Sequence, residues 1–527
     1  MELRSGDGRP TTGPLLDWFY VSPGYVTFRS GMAEQWDSPQ GIEIDVQQAE
    51  KSEPILVPDR PWEGGGVASV NGIFQRNDRY EMYYSTDGSC HCLAVSDDGE
   101  TWTKPDLGVV EFDGSRRNNI VARGPGLTGY VFEDPSAPPE ERFKLTTMRG
   151  GVYEPELDAD GSPIALGPTA FRDFELREEL REDHTGKWGQ MKGFLAGAVS
   201  PDGLRWTAIE KPLLAEFVDG DNITHYDGKT GKYVAYLRFH TGGRRTVGRS
   251  ETADFRRFNP EKVVLQPDPQ DPPDTSFYGH AYTPYPGRDD LHLMFVSVYH
   301  HNADNIDLQM AVSHDGDYWF RPDRHRPIVP NGPAGTDDSG QIHAGPGFGL
   351  LPDGRWGLAY AGRGRLHNND TDWYPPGPGE RASRTVRYAV WQRDRLAGIR
   401  ARDQGRFTLR QERERPPENC PDAIEAPPRD TFPPLSNPNE TPRQLKLNYR
   451  TEIGGWIKVE LIPVVGTMTY PQVPAIDGYS FDDCDTLTGD HLDRVVTWGE
   501  RSNVAGLSDT LAVRVKMYRT TLFSWSL

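Results

Sequence analysis

The chain is poor in cysteine and has no long apolar run. Only four cysteines occur in 527 residues. Cys90 and Cys92 are too close together to bridge easily, and Cys420 and Cys484 lie far downstream. This excludes a disulfide scaffold, and the spacing is not that of a zinc site. No segment is long and apolar enough to cross a bilayer, and the opening Met1-Glu2-Leu3-Arg4-Ser5-Gly6-Asp7-Gly8 has no apolar core of a signal peptide. The expectation is a soluble, cytoplasmic protein, or a secreted or periplasmic one if a signal peptide has been removed. Basic residues are also few: 58 Lys and Arg stand against 78 Asp and Glu, a net charge of −20. Such a surface argues against nucleic acid or an anionic membrane as partner. What is abundant is turn and aromatic chemistry, with 56 Gly, 45 Pro, 22 Tyr and 13 Trp. That balance predicts an all-β protein long enough for two full cores.

Three segments end an apolar strand in nearly the same words. They are Ala94-Val95-Ser96-Asp97-Asp98-Gly99-Glu100-Thr101-Trp102, Ala198-Val199-Ser200-Pro201-Asp202-Gly203-Leu204-Arg205-Trp206 and Ala311-Val312-Ser313-His314-Asp315-Gly316-Asp317-Tyr318-Trp319. Gly supplies the positive φ of a tight turn, and the Ser and Asp oxygens cap backbone N–H groups in it. The Trp offers a large face for packing between repeats, so Trp102, Trp206 and Trp319 read as structural. Two worn copies follow, Val247-Gly248-Arg249-Ser250 and Val386-Arg387-Tyr388-Ala389-Val390-Trp391. Each copy comes after a strand of alternating aromatic or aliphatic residues, around Tyr80–Tyr84, Phe143–Leu145, Tyr233–Leu237, Leu291–Phe295 and Trp356–Tyr360.

Five units at this spacing predict a five-bladed β-propeller over residues 61–400. A β-sandwich with coincidental turn words is the alternative. The largest insertion, about Gly150 to Gln190, holds the one convincing short helix, Phe174–Arg181. Residues 401–442 read as a Pro-rich surface connection. Alternation returns over 443–527 and predicts a C-terminal β-sandwich. Residues 1–60 are expected to pack with it through the strand Trp18-Phe19-Tyr20-Val21.

A five-bladed propeller followed by a β-sandwich resembles the invertase-like enzymes of glycoside hydrolase family 32. The propeller alone resembles the arabinanases and xylosidases of family 43. Pro61-Trp62-Glu63, Trp102-Thr103-Lys104-Pro105-Asp106-Leu107-Gly108 and Gly231-Lys232-Tyr233-Val234-Ala235-Tyr236 carry the likeness, which is to an uncharacterised bacterial branch. There are departures. Trp62-Glu63-Gly64 stands where family 32 has an Asn-Asp nucleophile motif. Glu133-Asp134-Pro135 keeps the Asp-Pro of the Arg-Asp-Pro motif and loses the Arg. The Glu-Cys acid motif has no match. The resemblance implies an O-glycosyl hydrolase of furanosidase type, a carbohydrate substrate and no cofactor.

Glycosyl hydrolysis needs two carboxyl groups flanking the scissile bond, with a third tuning them by charge. The inner strands of a propeller converge, so carboxylates near their ends are the candidates. Glu63 is the expected nucleophile or base by position, Asp134 the stabilising carboxylate by its Asp-Pro match, and Asp221 the acid. Asp219, Asp337 and Asp338 are further carboxylates on such segments. Trp62, Asp338, His225, Tyr278, His280, His343 and Arg363 are the expected substrate contacts. The three histidines are alternatively structural, or hold a channel ion as in some family 43 enzymes; no metal is assigned. A non-catalytic carbohydrate-binding propeller and a propeller lyase or phosphorylase are the competing functions. No Gly-rich phosphate loop supports the last.

Overall fold

The computed structural model describes residues 12–527 except 30–31, 77, 87–89, 125, 151–192, 215–217, 369–383, 410–442, 464–473 and 508–510. The predicted helix Phe174–Arg181 and most of the Pro-rich connection lie outside the described residues. Among those described there is no α-helix. Two single 3₁₀ turns, Pro61–Glu63 and Pro139–Glu141, are the helical content. The chain forms two compact units: Gln48–Trp391, and the described residues up to Gln47 together with Gln392–Leu527.

The first unit is built from antiparallel strand runs. The first sheet runs Val67–Arg76, Arg79–Thr86, Cys90–Ser96, Ile120–Arg123. The second runs Tyr130–Glu133, Phe143–Gly150, Gly193–Ser200, Thr207–Ala208. The third runs Ile223–Asp227, Lys232–Thr241, Arg244–Thr252, Lys262–Leu265. A fourth run, Thr275–Pro284, His292–His300 and Asn305–Ser313, meets a fifth, Gln341–Ala344, Trp356–Arg363, Thr385–Trp391 and Glu50–Lys51. Those two are joined by one parallel pair, Ile306 with Gln341. The second strand of each run is the aromatic or aliphatic strand read from the sequence. The leading strands touch in a cycle: Val67–Arg76 meets Tyr130–Glu133, then Ile223–Asp227, Thr275–Pro284 and Gln341–Ala344 in turn, and the last meets the first.

The repeated words fold as one local device. Ser96 Oγ donates to Asp98 Oδ1, Gly99 N–H donates to Ser96 Oγ, and Glu100 and Thr101 N–H donate to Asp98 Oδ1. Asp202 and Asp315 repeat this network with Ser200 and Ser313. Gly99, Gly203 and Gly316 have φ of 72°, 77° and 76°, a region where a Cβ is strained. Each turn also receives a tyrosine from the preceding run. Tyr236 OH donates to Gly316 O at 2.9 Å, Tyr388 OH donates to Gly99 O at 2.9 Å, and the Tyr83 hydroxyl lies against Gly203. The Tyr388 link joins the fifth run to the first.

The second unit is a six-stranded antiparallel sheet, ordered Asp490–Val495, Lys446–Pro463, Leu511–Ser526, Ala397–Thr408, Glu43–Val46, with Thr12–Pro14 also paired to Leu511–Ser526. Its strands are hydrogen-bonded as one continuous sheet among the described residues. The long strands break register between Thr451 and Trp456 and between Ala401 and Gln404, as bulges do. Ile399, Phe407, Tyr449, Val459, Trp498, Val515 and Trp525 form its core. Two boundaries differ from the reading of the sequence. Residues up to Thr408 are strand, because Ile399, Ala401 and Phe407 face that core. Trp18-Phe19-Tyr20 is turn, with one bridge from Val21 to Leu409; Leu15, Tyr20 and Val21 still enter the core.

Candidate functional site

Three of the carboxylates nominated from the sequence are fully or almost fully buried, and each has the same kind of surroundings. Glu63 is 0% exposed. It accepts from Tyr84 OH at 2.8 Å, from the N–H groups of Asp59 and Arg60, and from Lys104 Nζ at 2.7 Å. Asp134, 0% exposed, accepts from Tyr233 OH at 2.6 Å, Lys144 Nζ at 2.8 Å and Ser136. Asp338, 3% exposed, accepts from Tyr360 OH at 3.0 Å, Lys51 Nζ at 2.6 Å and Thr336. Each is thus matched by one lysine and one tyrosine. A carboxylate removed from water needs a counter-charge and filled lone pairs, and these partners supply both. Burial alone would raise the Asp134 pKa, but the bonds from Lys144, Ser136 and Tyr233 outweigh it and hold the group at about 2. Asp338 is likewise lowered against burial, chiefly by Lys51.

These three do not share a hydrogen-bond network. Asp134 follows the end of strand Tyr130–Glu133. At about 3.3 Å per residue it lies more than 10 Å along the chain from Tyr130, at the opposite end of that strand. Trp62 belongs with Glu63: its Nε1 donates to Asn119 Oδ1 at 2.8 Å, and its ring packs edge-on to Phe112. Asp337 is held by Arg387 at 2.7 Å and by Thr385.

Asp221 is different. It precedes strand Ile223–Asp227 at φ 57°, and its side chain is 22% exposed. Tyr130 OH donates to its Oδ1, and Arg238 Nη1 donates to its Oδ2 at 3.0 Å. Arg238 Nη2 donates to Asp219 Oδ1 at 2.6 Å, and Arg238 Nη1 also donates to Tyr278 O at 2.7 Å. One buried guanidinium therefore holds two partly exposed carboxylates. Its fork geometry sets their bonded oxygens at most about 8 Å apart. Burial would raise Asp219, but Arg238, Gly220 N–H and Arg245 hold it below the ordinary carboxylate value.

Tyr278 and His343 complete this cluster. The guanidinium groups of Arg238 and Arg245 lie 4.3 and 4.9 Å from the Tyr278 ring centre. The rings of His343 and His367 lie 5.6 and 4.8 Å from it. His343 Nε2 is 3.2 Å from Gln341 Oε1. Burial, against the pull of Asp221, puts the His343 pKa at about 4. Arg363 sits opposite Gln341 in the sheet, at the same end of the inner strands. His280 is 1% exposed, with neither ring nitrogen in hydrogen-bond geometry, and burial lowers its pKa to about 4. His225 is apart from the cluster. It stacks on Tyr282 at 4.4 Å and, with Ile73, Phe132, Tyr282, Pro284 and Phe348, lines a cavity of about 540 Å³. All five leading strands, or the residues just after them, contribute to that cavity.

No family model matches the chain, and no curated protein matches it. Solved structures do. A thermostable family-43 glycoside hydrolase aligns at 14% identity over 64% of this chain and 95% of its own, with a TM-score of 0.39. A Bombyx mori family-32 β-fructofuranosidase aligns at 10% identity over 90% of this chain and 94% of its own, TM-score 0.38. The β-fructofuranosidase of Schwanniomyces occidentalis, complexed with fructosyl-erythritol, aligns at 9% identity over 91% and 98%, TM-score 0.39. These neighbours are glycoside hydrolases of the two families that the sequence resembles.

Arg238, Arg245 and Tyr130 are the site residues that reading the sequence missed. One signal was present. Arg238 interrupts the buried alternation Tyr233-Val234-Ala235-Tyr236-Leu237, and a cation there requires a partner. The described residues contain no group of His, Cys, Asp and Glu spaced to hold a metal ion. No helix among them is long and apolar enough to cross a membrane.

Proposed function

We propose that the first unit is a five-bladed β-propeller and a glycoside hydrolase, acting on a furanose-type or similar glycan where its inner strands begin. Three observations support the propeller: the cyclic contact of the leading strands, the tyrosine link from the fifth run to the first, and the cavity to which all five contribute. The observation that carries the function is the pair Asp219 and Asp221. They are partly exposed, share Arg238, and flank Tyr278 and His343. Their bonded oxygens, at most about 8 Å apart, do not exceed the upper end of about 9.5 Å used by carboxylate pairs in glycoside hydrolysis. In this reading Asp221, fixed by Tyr130 and Arg238, is the carboxylate facing the anomeric carbon or its water. Asp219 is its charged neighbour. Glu63, Asp134 and Asp338 pass to structure in this reading, because they are 0–3% exposed and locked to a lysine, whereas the Asp221 side chain is 22% exposed.

A carbohydrate-binding propeller without turnover is the second reading. It is favoured by the same guanidinium, since Arg238 stabilises both carboxylates in the charged form and so opposes proton donation by either. A glycan-panel screen with wild type and Asp221→Asn separates the two. Hydrolysis that falls roughly 10²–10⁴-fold in Asp221→Asn supports the hydrolase. Binding without turnover by wild type supports the second reading. Turnover unchanged by Asp221→Asn removes Asp221 from the mechanism.

A further inference from the structure

The Asp219–Asp221 site has a cation that its own carboxylates do not fully use. Arg245 lies two residues past the hairpin turn Gly242-Gly243, whose φ values of 58° and 79° are those of a tight turn. Its guanidinium lies 4.9 Å from the centre of the Tyr278 ring, beside Arg238 on the same ring. Its contact with Asp219 is a 3.6 Å ion pair, longer than a hydrogen bond, and its buried Nε has no hydrogen-bond partner among the described residues. The Arg245 side chain is 23% exposed. Arg238, by contrast, is 6% exposed and spends its Nη atoms on Asp219, Asp221 and Tyr278 O. Ser276 Oγ accepts the Arg245 N–H, and His301 Nε2 lies 2.8 Å from that hydroxyl, which anchors the backbone of Arg245.

A guanidinium that is stacked on an aromatic ring, and whose Nε has no hydrogen-bond acceptor among the described residues, can meet a planar or tetrahedral oxyanion in a bidentate manner. The rest of the protein would repel such a ligand, with its net charge of −20. A dedicated cation at the site is what an acidic substrate would need there. We propose that Arg245 binds an oxyanion carried by the substrate, so that the sugar recognised here is acidic, bearing a carboxylate or a sulfate. This rests on the reading of Asp219 and Asp221 as the substrate site.

The test compares the full chain on three probes: uronate-containing oligosaccharides, the same pool after carboxyl reduction, and sulfated oligosaccharides. Binding is followed by calorimetry and turnover by product release, at low and high salt, for wild type, Arg245→Gln, Arg245→Lys and Asp221→Asn. The expected result is tighter binding of an acidic pool than of the neutral one, weakened by salt. Arg245→Gln weakens that binding roughly 10–100-fold and abolishes the preference, and Arg245→Lys keeps part of it. Whether the uronate or the sulfated pool shows the effect names the oxyanion. Equal handling of acidic and neutral pools, unchanged in Arg245→Gln, overturns the acidic-sugar inference and leaves the hydrolase reading intact if Asp221→Asn is inactive. No binding and no turnover on any pool overturns both. Arg245→Lys retains the charge, so a loss in Arg245→Gln that it restores is not a folding defect.

Discussion

Replacing Lys144 with Met should destabilise the first unit by about 3 kcal/mol, by a route that can be worked from the structure. The side chains of Lys144 and Asp134 are 2% and 0% exposed and meet at 2.8 Å. Removing one partner of a buried pair costs about 3–5 kcal/mol because the other charge stays buried. Ser136 and Tyr233 still bond Asp134, which favours the lower end. The pKa gives the pH dependence. Against burial, Lys144, Ser136 and Tyr233 together lower Asp134 from 3.8 to about 2. The sign follows from the direction of the shift. A depressed folded-state pKa contributes stability that is full above the unfolded value of 3.8 and is lost as pH falls through about 2. Differential scanning calorimetry near neutral pH should show Lys144→Met melting roughly 3–5 °C below wild type, as expected for a unit the size of Gln48–Trp391. The gap should narrow as the pH drops toward the Asp134 titration. Lys144→Arg should lie between the two. An unchanged melting temperature for Lys144→Met, or a gap that widens in acid, would refute the assignment of Asp134 to a structural lock.

Other outcomes follow from the same structure. Gly316→Ala should cost about 1–2 kcal/mol, because φ is 76° and the new Cβ would fall 2.8 Å from Tyr236 Oη; chemical denaturation measures it. Tyr236→Phe removes the bond to Gly316 O and should cost about 1 kcal/mol, and combined with Gly316→Ala it should be less than additive. Burial lowers His91, His280 and His343 to about 4. The unfolded chain therefore takes up protons first, and stability should fall by several kcal/mol as pH drops from about 6.5 toward 4. Denaturant midpoints across that range check this, and a midpoint that rises in mild acid contradicts it.

The fold was legible where its causes are local. The Ser-x-Asp-Gly turns are closed by residues two or three apart, so Asp98, Asp202 and Asp315 announce themselves in the sequence. The alternation in Tyr233–Leu237 and Trp356–Tyr360 directly reflects a pleated strand with buried faces. The site was less legible because its causes are distant. Glu63 and Asp338 have the type and position of catalytic carboxylates, and the proposal that they are structural rests on Lys104 and on Lys51, the latter 287 residues away in sequence from Asp338. The sequence also offered Asp219 and Asp221 as alternatives. The fold makes them a pair through Arg238, at separations of 19 and 17 residues. That pairing depends on strand Lys232–Thr241 folding back beside Ile223–Asp227, which sets Arg238 beside both acids.

The most direct test compares Asp221→Asn with Glu63→Gln on one glycan that the wild type hydrolyses. Both variants are assayed for kcat/KM per folded molecule and for melting temperature. The account predicts that Asp221→Asn loses roughly 10²–10⁴-fold in kcat/KM with little change in melting. Glu63→Gln should melt lower, having lost the charge that Lys104 pairs with, and should keep its kcat/KM. An inactive Glu63→Gln of normal stability beside a fully active Asp221→Asn would contradict the account and return the chemistry to Glu63.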